Sequence, residues 1–223
     1  MLSIIIPALN AAGRLEGVLK TLFASAADKE VIVADGGSAD ATREIAERLG
    51  ARVIKCARGR GAQMACGAAA AKGDRLLFIH ADTVPGAGWD EAVARYVADP
   101  GNLRRAAVFR LRLDDASPAA RRLERLVAWR SRVLGLPYGD QGLLISRVFY
   151  DELGGFRAIA LMEDVDIVCR IGKSRLDILD VVVVTSAERY RTGGYLLRPL
   201  RNMLCLGLYF LGLPPRLIAK IYE

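Results

Sequence analysis

The sequence predicts an α/β fold in which a mostly parallel, Rossmann-like central sheet is flanked by helices, and three observations predict it. Apolar runs with strand character recur at Leu2–Ile6, Val31–Ala34, Arg52–Ile54 and Leu76–Ile79, each separated from the next by a helical pattern; strands alternating with helices make a parallel sheet. Two of these runs lead into carboxylates, Asp35 and Asp82, and open α/β sheets bind ligands beyond the carboxyl ends of their strands. The chain has 223 residues, 52% hydrophobic and 26% charged. That is enough to bury a full core, and no low-complexity tract, internal repeat or long linker divides it.

The elements follow in order. Leu15, Val18, Leu19 and Leu22 fall at i, i+3, i+4 and i+7, a helix between the first two strands. Val31 to Ala34 reads as a strand covered on both faces. Gly36-Gly37 then permits a turn closed to other residues, and Ser38 or Asp40 caps a helix bearing Ala41, Ile45 and Leu49, closed by Gly50. The small residues from Gly61 to Ala71 let a helix lie close to the sheet, and another helix is expected from Trp89 onward. After residue 100 the rhythm changes. Strands are expected at Ala106–Leu111, Gly142–Ile145 and Ile178–Val184. Ser117-Pro118 opens a long arginine-rich helix with Leu123, Leu126, Val127, Val133 and Leu134 on one apolar face. The reading is one domain over 1–223, with a nucleotide half over 1–100 and an acceptor half over 101–223.

Charge is unevenly placed. The net charge is +7, and Lys/Arg balance Asp/Glu over residues 1–100, so the excess lies in the second half, where an anionic partner would be met. Cys56, Cys66, Cys169 and Cys205 lie far apart without paired spacing, which argues against a zinc knuckle or disulfide framework. Met1 to Pro7 has neither a basic leader nor a long apolar run. A cytoplasmic setting follows from both. Met203 to Leu213 is the most apolar stretch; it is too short to span a bilayer, so it is a core helix or a membrane-surface helix, with Arg198, Arg201, Arg216 and Lys220 around it. Packing against the sheet is the favoured use, and peripheral contact with an anionic membrane is the alternative.

Three acidic positions can carry chemistry. Asp35 stands where a ribose hydroxyl or base edge would be met. His80, the one histidine, forms with Asp82 an N,O pair suited to manganese or magnesium held jointly with phosphate oxygens. Glu163, Asp164 and Asp166 open a helix, an arrangement that the helix dipole favours with or without catalysis. Tyr138-Gly139-Asp140-Gln141-Gly142 and Gly154-Gly155-Phe156 supply loops suited to framing a pocket.

In this order the motifs resemble the family 2 glycosyltransferases of the GT-A fold, and more narrowly a bacterial subgroup labelled as arsenosugar-biosynthesis-type. The matching pieces are Ile4 to Asn10, Asp35 to Thr42, Gly59 to Met64, His80 to Thr83, Tyr138 to Gly142 and Met162 to Asp164. The resemblance implies a metal-assisted, inverting transfer of a sugar from a nucleoside diphosphate sugar to a hydroxyl acceptor, which a lipid could carry. It implies that Asp35 contacts the nucleotide, with Pro7, Asn10, Arg60, Gln63, Ala81 and Asp82 also on the donor. Asp82 with His80 would hold Mn2+ or Mg2+, Asp164 would be the general base supported by Glu163, and Asp140 and Gln141 would face the acceptor. The chain departs from the family pattern at Ala11, where many members carry a glutamate, at Ala65, and at His80, which replaces the first acid of the DXD motif.

Two rival readings are a nucleotidyltransferase and a non-catalytic basic module that binds a polyanion or membrane surface. The first would show a glycine- and lysine-rich loop after the first strand, where Pro7-Ala8-Leu9-Asn10 stands. The second gains nothing from carboxylates at strand ends, so no nucleic-acid partner is expected.

Overall fold

The computed structural model describes residues 1–222, so the last residue of the expected domain span lies outside the described residues. The chain opens with β1 (Leu2–Ala8), α1 (Ala12–Ala24), β2 (Lys29–Asp35), α2 (Thr42–Arg48), β3 (Arg52–Lys55), α3 (Arg60–Ala70) and β4 (Arg75–Phe78). It continues with β5 (Thr83–Pro85), α4 (Trp89–Ala98), β6 (Ala106–Leu113), α5 (Pro118–Trp129), β7 (Leu143–Ser146), α6 (Arg147–Glu152) and α7 (Glu163–Ile171). β8 (Leu176–Thr185), α8 (Glu188–Gly193), α9 (Leu197–Phe210) and α10 (Pro215–Tyr222) complete it.

One eight-stranded sheet has the order β3-β2-β1-β4-β7-β6-β8-β5. The first four strands are parallel, as alternation of strand and helix predicts. Beyond β4 the sheet is mixed: β7 runs antiparallel to both β4 and β6, β6 and β8 are parallel, and β5 pairs antiparallel with β8. Period-two alternation sends Ile4 and Ile6 of β1 into the core under α1 and α4, and Ile5 into the opposite core under α3, α6 and α7. The small residues of α3 do bring it close. A Cβ on Gly67 would lie 2.3 Å from Ile5 Cγ2. One guanidinium closes that helix, since Arg147 donates to the carbonyls of Ala68, Ala71 and Gly73 at 2.7–3.1 Å and so satisfies groups that a helix end leaves open.

Three expectations are corrected. Cys56 and Cys66 form a disulfide, with Cα atoms 6.1 Å apart; the loop from β3 into α3 folds back and brings them together despite their spacing. That pairing removes one ground for expecting a cytoplasmic setting. In the arginine-rich helix only Leu123 and Val127 of the five named apolar residues are buried. α5 ends in a π-helical turn over Arg130–Leu134, which changes the helical phase and leaves Val133 and Leu134 in solvent together with Leu126. Finally, α9 does not bury its apolar stripe against the sheet. It packs through Cys205, with Leu206, Leu208 and Tyr209, on Leu161, Met162 and Val165, while Leu197, Leu200 and Leu204 are exposed. Among the described residues no helix is long and apolar enough to cross a membrane.

Candidate functional site

Two clusters of polar side chains lie along the carboxyl ends of the first strands. The first joins the loops after β1 and β2. Asp35, at the end of β2 and 1% exposed, accepts from the amides of Gly37 and Ser38 at 3.1–3.2 Å. Asn10, with φ of 51°, donates its amide to Ser38 Oγ at 3.0 Å and accepts from the Ala39 amide at 2.9 Å. Asp40 accepts from the amides of Thr42 and Ala12, both at 3.1 Å, as a helix-start acid should. Beneath them, Gln63 on α3 donates from Nε2 to the carbonyls of Ala8 at 2.7 Å and Ala34 at 2.8 Å, tying β1 to β2. Pro7 and Ala81 are packing positions at the strand ends.

The second cluster lines a cavity of about 100 Å³ whose walls include Arg60, His80, Asp82, Asp140, Asp164 and the backbone of Gly139. β4 delivers His80 and Asp82 just past its end. α3 opens with Arg60, a short turn over Gly139–Gln141 carries Asp140, and α7 opens with Glu163 and Asp164. Asp164 is fixed by two backbone amides: Oδ2 accepts from Gly139 at 2.8 Å and Oδ1 from Val165 at 2.8 Å. Gly139 lies so close that a Cβ there would fall 2.8 Å from His80 Nε2 and 3.4 Å from Asp164 Oδ2. The acids of α7 are presented by Met162, which adopts a left-handed backbone with φ of 68°. Such strain in a non-glycine residue concentrates at functional sites.

Electrostatics divide the group. Burial, and after it the charge of Arg60, pushes His80 down to about 4, so its imidazole is neutral near pH 7. Burial pushes Asp140 up to about 6, with Arg130 pulling the other way and Asp164 adding to the rise. Glu163 is raised to about 7, again by burial, against the opposing charge of Arg60. Arg60 Nε sits 2.8 Å from Glu163 Oε1, so Glu163 is engaged with Arg60. Asp82 has Arg14 at 3.8 Å, and Arg14 is shared with Glu188. Asp166, the third acid of α7, is structural: it pairs with Arg157 at 3.0 Å and with Arg170, and accepts from Tyr209 Oη at 3.4 Å.

Of the expected site residues, Arg60, His80, Asp82, Asp140 and Asp164 meet in the cavity, and Glu163 abuts it through Arg60. Gln141 does not line it. Its side chain is 2% exposed, accepts from Ser131 Oγ at 2.8 Å and donates to the Phe109 carbonyl at 3.0 Å, bracing β6 against the turn after α5. Pro7, Asn10, Asp35, Gln63 and Ala81 are likewise absent from the cavity wall. The far wall comes from the C-terminal helices: Arg189 and Tyr190 of α8, Arg198 and Asn202 of α9, and Tyr222 of α10. Their cavity role carries no local signal, because it depends on which way each helix is rolled.

The family model for glycosyl transferase family 2 matches residues 3–157. The chain belongs to this family. It is therefore a glycosyltransferase, an enzyme that transfers a sugar from a nucleotide sugar, and its mixed α/β fold is GT-A. No curated protein matches the sequence. Among solved structures, glucosyl-3-phosphoglycerate synthase from Mycobacterium tuberculosis with Mn2+, UDP and phosphoglyceric acid is 22% identical. It superposes with a TM-score of 0.65 over 96% of this chain and 79% of that one. The mannosyltransferase PcManGT from Pyrobaculum calidifontis, with GDP-Man and Mn2+, is 20% identical with a TM-score of 0.65, over 92% and 60% of the two chains. S. aureus TarS 1-349 with UDP-GlcNAc is 14% identical with a TM-score of 0.68, over 99% and 70%.

The donor set can be tested against a divalent ion. His80 is neutral and Asp82 offers a carboxylate on the same wall, a nitrogen and oxygen pair acceptable to Mn2+. Among the described residues no three His, Cys, Asp or Glu side chains group to hold a metal by themselves. The pair fits part of a shell, and a bound diphosphate would have to supply the remaining oxygens, as is common for Mg2+-type sites.

Proposed function

We propose that the cavity carries out an inverting, metal-assisted transfer of a sugar from a nucleoside diphosphate sugar to a hydroxyl acceptor. The single observation that carries this reading is the convergence of Asp164 with His80 and Asp82 on one cavity, spaced by the bare backbone of Gly139. Solved structures of similar fold bind UDP, GDP-Man or UDP-GlcNAc, two of those cited together with Mn2+, which supports the donor class and the metal.

An acceptor hydroxyl is a weak nucleophile at neutral pH, and Asp164, pinned by the Gly139 and Val165 amides, takes its proton as the oxygen attacks the anomeric carbon. The new C–O bond forms on the face opposite the breaking one, and the nucleoside diphosphate departs with the electron pair. His80 and Asp82 would hold a divalent ion, which supplies Lewis-acid stabilisation of the diphosphate. Arg60, Arg189 and Arg198 line the same cavity and set fixed positive charge where the leaving group gains negative charge. The Glu163–Arg60 pair anchors one of these cations. The nucleoside lies along the strand-end cluster of Asn10, Asp35 and Ser38, and Asp140 faces the acceptor.

Calorimetric titration of UDP, GDP and their sugar conjugates, with Mn2+ and then with chelator, tests the reading beside a transfer assay. Mn2+-dependent binding is expected in the wild type and in Asp164→Asn, with transfer in the variant reduced roughly a thousandfold or more. Wild-type turnover by Asp164→Asn would overturn the base assignment, and full binding and activity in excess chelator would overturn the metal.

A further inference from the structure

α9 carries apolar side chains on two faces: Cys205, Leu206, Leu208 and Tyr209 pack inward, and a second apolar stripe faces outward. Its polar residues Arg198 and Asn202 point into the cavity, while Leu196 and Leu197 just ahead of and within it, together with Leu200, Met203, Leu204 and the following Leu211, face solvent; Leu196 is 78% and Leu211 85% exposed. An amphipathic helix on a globular core normally turns its apolar stripe inward, and clustered exposed apolar side chains of this kind mark an interaction face. The stripe continues across a groove of about 600 Å³ onto α5, where Ala119, Leu123 and Leu126 form the opposite wall and Arg122 lies between them.

The charge around this face is mostly positive. Residues 189–222 contain six Arg or Lys and no acid; Arg189 and Arg198 face the cavity and Arg191 pairs with Asp114 and Asp115, which leaves Arg201, Arg216 and Lys220. α5 adds Arg121, Arg122 and Arg125 against Glu124 alone, and Glu124 is held by Arg121 and by the Leu113 amide. A second copy docked by a two-fold axis would set this cationic face against itself. An anionic bilayer complements both properties, with leucines at the acyl boundary and guanidinium groups at the phosphates. No described helix can span a bilayer, so the contact is peripheral.

We propose that the α5–α9 face docks on the surface of an anionic phospholipid membrane. The proposal stands on this surface alone and not on the chemistry of the cavity. The test is co-sedimentation of the full chain with vesicles of phosphatidylglycerol and phosphatidylcholine in equal parts, and with phosphatidylcholine alone. It is run beside a Leu200→Gln, Leu204→Gln, Leu211→Gln triple variant, whose side chains are already exposed, with analytical ultracentrifugation of both proteins. The wild type is expected to bind the mixed vesicles and to bind phosphatidylcholine at least roughly tenfold more weakly. A similar loss is expected in the triple variant and in roughly 0.5 M salt. Unchanged melting temperature in the variant shows that the fold is intact. Equal binding to both vesicles, undiminished binding by the variant, no binding by the wild type, or a wild-type dimer that the variant dissolves would each overturn the proposal.

Discussion

The two polar clusters at the strand ends differ in how their hydrogen bonds are spent. In the cluster after β1 and β2, Asp35, Asn10, Asp40 and Gln63 are committed to backbone groups of the same loops and strands. Around the cavity Asp164 is also held by backbone amides, but other polar atoms are left unspent. Arg130 Nη2, Asp140 Oδ1 and Asn202 Oδ1 are buried without a hydrogen-bond partner among the described residues. All three line the cavity or touch a residue that does, Arg130 through its stacking on Tyr138. Buried polar groups are otherwise paired. The first cluster is therefore a backbone-locked scaffold along which a nucleoside can lie, and the second keeps polar atoms open for ligands.

That contrast can be broken by substitution. After Asp164→Asn, Gly139→Ala is expected to have the next largest effect, since its Cβ would collide with His80 and crowd Asp164. Displacement of reacting groups by a fraction of an ångström to an ångström lowers turnover by on the order of a hundredfold. Steady-state kinetics showing unaltered turnover would mean that the 139 backbone does not set the cavity geometry. Gln63→Ala comes next and acts on stability instead: it leaves the Ala8 and Ala34 carbonyls without their donor and opens a hole beneath Gly36. Denaturant unfolding should show a loss of about 2–3 kcal/mol; a loss within error would show that the scaffold cluster is not one.

Asp140→Asn has the smallest effect and the opposite sign. The folded state holds the Asp140 proton up to about 6, above the ordinary 3.8, so this group's contribution to stability falls as pH rises between those values. Asparagine carries no such charge. The variant should therefore gain stability relative to the wild type at about pH 7 compared with about pH 4.5, by on the order of 1 kcal/mol. Paired melting curves at the two pH values check the sign, and an equal difference at both would show that burial does not oppose the charge.

The parallel half is legible because β1, β2 and β4 are covered on both faces and the helices between them carry apolar stripes inward, so periodicity places them. β5 is not, because it is three residues long and paired with β8 across some hundred positions of chain. Arg147 reads as one more exposed cation until its three carbonyl partners are seen. In the site, His80, Asp82 and Asp164 stand at strand and helix ends, which a sequence marks. Arg189, Arg198 and Asn202 come from helices whose roll is fixed by tertiary packing, and a sequence does not mark that. The resemblance puts Gln141 on the acceptor beside Asp140, but adjacent residues of a tight turn face opposite ways, and the glutamine side chain lies in the core.

The two-faced packing of α9 also has a thermodynamic consequence. A single helix carries Arg198 and Asn202 on the cavity wall and Leu200 and Leu204 on the outer face, and it rests on Met162, the residue that presents Glu163 and Asp164. Whatever binds outside and whatever binds inside therefore act on one body. By linkage, any factor by which attachment at the outer face changes donor affinity is the factor by which donor changes the affinity of attachment. Measured in either direction, that one number would report whether this enzyme senses where it is.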